Sequence, residues 1–278
     1  MTKLFGHVAL GFTFSSLGLW RLFNNIKLHS LHPNSFTSPP WFPSKIIRHI
    51  ELFSLMAVSS IFIASELYWG FRIPLHNSDL IIPLNRVRHF EHATISLNCF
   101  TYAAFAIILD KIGSKAHYAL TLFLEAIAFG QELLLIHFHS ADHKGVESQY
   151  HLLLQIILLV SLITTLMTIG HPQNFLLSFV RSTSITFNGV WLIVTGFMLW
   201  TPALIPKGCF INLEEEHQVV RCLGDEALLR AKSLVNLQFS WFFIAITVFS
   251  VSFYLVLDKI YDEKLDYSTL SRKKMILF

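Results

Sequence analysis

Seven separate stretches of this chain are long and apolar enough to cross a bilayer, and that pattern limits the fold more than any motif does. A hydrocarbon core of ~30 Å calls for about 20 mostly apolar residues per helix. Such stretches run near residues 5–23, 47–70, 89–110, 117–139, 150–170, 175–200 and 233–257. Lipid offers the backbone no water to bond, so each stretch is expected to be a helix. Runs of alternating residues, as a barrel would need, are absent. The expected fold is all-α: a polytopic membrane protein with seven transmembrane helices in one bundle over residues 1–258. Residues 259–278 are expected to form a short basic cytosolic tail. Composition agrees, since 53% of the 278 residues are hydrophobic and 14% charged, against roughly 25% charged in a soluble domain. This excludes a disordered chain, a small disulfide scaffold and most soluble enzymes. The formal net charge of +3 gives no ground for a nucleic-acid partner, and none is expected.

Proline and glycine punctuate the connections. Pro33, Pro39, Pro40 and Pro43 fall in the first loop, Pro74 and Pro83 bracket the second, and Gly113 marks a short third turn. Pro172 and Pro202 flank the sixth stretch, and the one long connection is Thr201 to Arg230. The first stretch has no small-residue cleavage site, which predicts a retained signal anchor. Orientation follows Lys and Arg. Arg21, Lys27, Lys45 and Arg48 in the first loop, Lys111 and Lys115 in the third, and Lys259, Lys264, Arg272, Lys273 and Lys274 in the tail share one side. That side is expected to be cytosolic, with the N-terminus lumenal or exterior, in the endomembrane system or plasma membrane. The opposite side carries the acidic run Glu214, Glu215, Glu216. Cys209 and Cys222 lie there too, where disulfides persist, and are predicted to pair. Cys99, inside the third stretch, reads as a small packing residue.

The ionisable residues within or beside the spans carry the functional information, because such groups are costly in lipid and usually face the bundle interior. The chain has 14 His. His7, Glu66, His89, Glu91, His92, Glu132, His137, His139, His143 and His151 all fall at the exterior ends of their spans, and Asn236 and Gln238 lie at the same depth. His89 and His92 share a helix face, as do His139 and His143, with Glu132 two turns earlier on the same stripe. Imidazole and carboxylate on facing helices suit a divalent transition metal. The expected ligands are His89, His92, His139 and His143, with His137, His151, His7 and Glu66 beside them. Zinc is the first choice, with iron, copper or haem as alternatives. Asp142 could orient a ligating His. The bland reading is that each His bonds a headgroup or a loop carbonyl. A b-type haem would need facing His pairs: His92 or His89 with His151 at one leaflet, and His49 with His117 at the other, the helix pairing of the cytochrome b561 architecture. The cytosolic side reads as poorer in chemistry, with His29 and His32 solvated. Glu51 begins the second span, and Glu125 lies near mid-membrane on the Glu132 stripe.

Several motifs resemble the transmembrane protein 45 family. They are Gly6-His7, Gly11-Phe12, Gly18-Leu19-Trp20, Leu31-His32-Pro33-Asn34-Ser35, His89-Phe90-Glu91-His92, Gly130-Gln131-Glu132, His137-Phe138-His139-Ser140-Ala141-Asp142-His143 and Leu199-Trp200-Thr201-Pro202. The resemblance runs from residue 1 to about 270 and is closest to plant-type members. It implies a roughly seven-span membrane protein and hands over no reaction. The family pattern includes His7, Glu66, His89, His92, Glu132, His137, His139, His143 and His151.

Three functions fit these readings. The first is a metal-dependent membrane hydrolase acting on a lipid or an amide, with Glu132 as general base. The second is a transporter or sensor of metal ions or protons, with Glu125 and Glu132 on the path; it requires a water-filled passage reaching both sides. The third is a non-catalytic partner in trafficking or defence signalling, for which Tyr267-Ser268-Thr269-Leu270 fits a Tyr-x-x-apolar sorting signal and so a sorting adaptor as partner. Membrane lipid is an expected partner in all three, and a homo-oligomer is compatible with each. No Asn-x-Ser/Thr site occurs, so no N-glycan is expected.

Overall fold

The computed structural model describes residues 3–73, 82–141, 145–214 and 217–276, with side chains for 4–73, 82–138, 145–214 and 218–263. Seven long helices dominate: α1 (Lys3–Leu31), α2 (Ile50–Arg72), α3 (Leu84–Ile112), α4 (His117–Ala141), α5 (Val146–Gly170), α6 (Phe175–Trp200) and α7 (Asp225–Ile276). Successive helices run in alternate directions. The helix ends follow local chemistry. Pro83 precedes α3, Gly113 ends it at φ 68°, a left-handed backbone that glycine adopts without strain, and the Asn174 side chain caps α6 by accepting from the Leu177 N–H.

Among the described residues six helices are long and apolar enough to cross a membrane, where the sequence predicts seven. The exception is α1. Its glycines, serines, His7 and Arg21 dilute its hydropathy, and it compensates by packing Gly11 and Gly18 directly against α6. A Cβ on Gly11 would stand 2.6 Å from the Gly189 carbonyl oxygen, one on Gly18 would overlap Thr186, and one on Gly189 would overlap the Ser15 backbone nitrogen. The two backbones therefore touch along an antiparallel stripe of small residues, the device by which membrane helices associate without a hydrophobic driving force between them.

The structure adds two features to these expectations. The long connection between α6 and α7 has structure of its own within an otherwise helical chain. It holds a hairpin, β1 (Cys209–Glu214) paired antiparallel with β2 (His217–Cys222). The predicted Cys209–Cys222 disulfide joins its first and last residues. Separately, α7 runs on past the end of the expected span, and its helix continues through the basic tail to Ile276. At 1.5 Å per residue its 52 residues span roughly 78 Å, well over twice a hydrocarbon core.

The helices fall into two groups. In one, α1 lies along α6, α6 packs on α5, and α7 packs on all three. Phe187 and Trp191 of α6 meet Phe239 of α7 at 5.2 and 4.9 Å between ring centroids. Gln149 and Tyr150 of α5 donate to Asn236 and Gln238 of α7 at 2.7 and 2.9 Å, so these two span-seven amides tie helices together. In the other group, α2 packs on α3 and α3 on α4, with Leu52, Tyr102 and Ala103 at its centre. The α4–α5 contact hinges the groups. Opposite it, α1 faces α2 and α3 across open space and a few polar side chains, and that seam holds the features of interest.

Candidate functional site

At the end of the bundle where α1, α3 and α5 begin and α2, α4 and α6 end, the seam opens into a cavity of about 350 Å³. Six of the nine sequence-selected site residues line it: His7 of α1, Glu66 of α2, His89 and His92 of α3, Glu132 of α4 and His151 of α5. Five helices thus deliver one polar residue set to one space. Gly70, one turn after Glu66, lets α3 come close, since a Cβ there would stand 3.1 Å from the His89 Cβ. The approach allows Glu66 Oε2 to reach His89 Nδ1 at 2.6 Å, with His92 Nδ1 at 3.7 Å. His92 stands at the mouth, its side chain half exposed. Glu132 lies deep, 5% exposed, and carries no hydrogen bond or ion pair among the described residues. Ser96 and Cys99 line the same interior.

The remaining three site residues are placed otherwise. His137 is exposed on α4 and pairs with the Gln155 side-chain oxygen at 3.0 Å, turned toward α5 and outside the cavity lining. His143, with Asp142, lies outside the described residues, and so does the side chain of His139. Tyr267–Leu270 lies in the helical stretch of α7 whose side chains are likewise outside the described residues. Among the described residues no three His, Cys, Asp or Glu side chains stand close enough to hold a metal ion. The second haem pair is engaged locally: His49 Nε2 pairs with Asp110 at 2.7 Å, and exposed His117 with the Ser114 carbonyl at 2.9 Å.

Farther down the seam lies a charged layer whose two arginines sequence reasoning missed. Arg21, read as a loop charge, is inside α1 and 1% exposed. Its Nε donates to Glu51 at 2.8 Å, Nη2 to the Tyr102 hydroxyl at 2.8 Å, and Nη1 to Glu125. Glu51 also accepts from the Trp20 indole N–H at 3.1 Å and the Phe42 backbone N–H at 2.9 Å. Arg181, within α6 and fully buried, faces the other oxygen of Glu125 at 3.8 Å. The loop after α1 closes over this layer. Phe36, Ser38, Trp41 and Phe42 are buried, the Ser38 N–H donates to the Pro172 carbonyl at 2.8 Å, and Arg181 reaches Ser38 and Pro39 at 3.4 Å. The side expected to be poor in chemistry thus holds two arginines and two glutamates whose formal charges cancel.

Residues 118–255 match the model of a family of unknown function, DUF716. Among curated proteins the chain has no match. The matched segment runs from the start of α4 into α7. It includes Glu125, Glu132, His151, Arg181 and the disulfide hairpin, while His7, Arg21, Glu51, Glu66 and His89 precede it. Both the cavity and the charged layer are therefore built half from the matched segment and half from α1–α3.

The hairpin marks the cavity end. A Cβ on Gly145, at the start of α5, would stand 3.1 Å from the Val220 carbonyl oxygen; Val219 and Val220 are buried. Within the hairpin Arg221 Nε donates to Glu214 at 2.6 Å, and that bond holds the guanidinium above its usual pKa. At the opposite end Asp110 does the same for Arg48 through a two-pronged pair at 2.9 Å.

Proposed function

We propose that this protein is a seven-span integral membrane protein of the transmembrane protein 45 kind, and that its cavity is a binding chamber for a small amphiphilic molecule taken from the membrane or the exterior. The observation that carries this reading is the convergence of His7, Glu66, His89, His92, Glu132 and His151 on one space, under walls that are otherwise mostly apolar. Ligand sites are typically concave, largely apolar and furnished with a few placed polar groups, at ~300–1,000 Å³. The hairpin supports an orientation with the cavity mouth toward the lumen or exterior and the charged layer toward the cytosol, because a disulfide persists on the oxidising side of a membrane. Glu132 is the acid–base group of any reaction performed there. Hydrolysis of a lipid or amide is the reaction class for which a deep carboxyl beside histidines is suited.

A metal-dependent version of that chemistry is the second reading. It is favoured by Glu66 on His89 Nδ1, because a carboxylate on one ring nitrogen orients the other toward a metal. It requires further ligands from His139 or His143. Two measurements on protein purified without chelator test these readings. In a thermal-shift screen of small amphiphiles, ligands should stabilise the wild type and lose their effect in Val58→Trp, which fills the cavity. A screen in which no compound distinguishes the two proteins would overturn the chamber. Elemental analysis should find stoichiometric zinc, iron or copper if the metal reading holds, and its absence would end that reading alone.

A further inference from the structure

The cavity has an electrostatic asymmetry that narrows its occupant. Its lining carries four carboxylates, Glu66, Glu91, Glu132 and Glu147, against one guanidinium, Arg88, and the imidazoles of His7, His89, His92 and His151. Glu66 is engaged by His89, and Glu91, Glu147 and Arg88 each have partners of their own. Glu132 stands apart. It is 5% exposed, faces the cavity, and has no hydrogen bond or ion pair among the described residues. A buried polar group without a partner is costly, and a buried carboxylate far more so, unless a ligand completes it. The walls around it, among them Phe14, Leu55, Phe62 and Leu192, are apolar.

We propose that the chamber takes an amphiphilic amine, with the ammonium bound to the Glu132 carboxylate and the apolar body against Phe14, Leu55 and Leu192. The inference rests on the chamber reading above and names its ligand class. A bare divalent ion would need several converging donors, which the described residues do not assemble. An ammonium needs one carboxylate, and a charge-assisted bond of that kind is roughly twice as strong as a neutral one. An anionic amphiphile would set its charge beside the Glu132 carboxylate, and a neutral one would leave Glu132 without an ionic partner.

The test compares octylamine, octanol and octanoate, which share one body and differ in charge. Binding is measured by calorimetry on the full chain in nanodiscs of zwitterionic lipid, with empty nanodiscs as the blank. The wild type should bind octylamine at least about tenfold more tightly than octanol, the scale of one charge-assisted bond, and octanoate more weakly still. Glu132→Gln should lower octylamine to the octanol level and leave octanol unchanged. Equal binding of octylamine and octanol by the wild type, or a preference kept in Glu132→Gln, would overturn the amine proposal while leaving the chamber standing. If none of the three binds the wild type, the chamber reading fails as well. The wild-type comparison stands by itself should Glu132→Gln not fold.

Discussion

Arg21 shows how one side chain can hold two helix groups together. Its three nitrogens address three acceptors on three helices: Glu51 of α2, Tyr102 of α3 and Glu125 of α4. Burying such a charge is expensive, and the pairing offsets that cost only while every partner is present. Truncating Arg21 would leave two carboxylates in a water-poor interior, and removing one member of a buried pair costs about 3–5 kcal/mol. Arg21→Met should therefore unfold at markedly lower temperature in detergent. Arg21→Lys should fall almost as far, because one ammonium cannot reproduce the fork. Adding Glu125→Gln to Arg21→Met should recover part of the loss. Additive losses in the double variant would contradict the network. Arg21 was legible as a charge and illegible as a core residue, because the apolar window around residues 5–23 ends beside it and a loop assignment followed. Arg181 escaped notice for the converse reason: a single charge inside a long apolar stretch barely changes its mean hydropathy. By contrast Glu66, His89, His92, Glu132 and His151 stood out because each is ionisable and sits where a span should end.

At the scale of elements, the helices were readable because length and apolarity alone identify them, and most observed ends fall within a few residues of the expected ones. Three features were not. The hairpin in the long connection has six-residue strands, too short and too polar for periodicity to separate from a loop, although its cysteines marked its ends. The continuation of α7 past residue 257 lies in a polar stretch that hydropathy does not reach. And α1 is a helix whose fitness for the bundle resides in its partner. The stripe of Gly11 and Gly18 against Gly189 and Gly196 lets the two backbones meet, and this exposes it to a sharp test. In Gly189→Ala the new methyl would collide with the Ser15 backbone nitrogen, and backbone cannot swing aside as a side chain can. Overpacking of this kind typically costs about 1–3 kcal/mol. Gly189→Ala should show a clear drop in melting temperature in detergent, whereas Gly170→Ala, where a Cβ meets nothing within 4 Å, should sit near the wild type. Equal melting of both variants would contradict the close α1–α6 approach.

Taken whole, the molecule has a polar seam with two different ends. One is a cavity with half-exposed His92 at its mouth and Glu132 at depth, beside a disulfide hairpin. The other is a neutralised layer of two arginines and two glutamates under a folded-in, proline-rich loop. The depth at which polar residues gather could be read from the chain, because each span orders its residues along the membrane normal. Which of them share a space could not, since that depends on helix rotation and neighbours. His137 turning to Gln155 instead of the cavity is the clearest case. A seam sealed at one end and open at the other is the central claim, and accessibility tests it most directly. Ser96 is buried and lines the cavity, so Ser96→Cys in a Cys99→Ser background places a single free thiol there. A small, charged, membrane-impermeant thiosulfonate is then applied to sealed vesicles of known orientation. Modification only from the face that carries the Cys209–Cys222 hairpin is the predicted result. Modification from the opposite face, or from both, would contradict it.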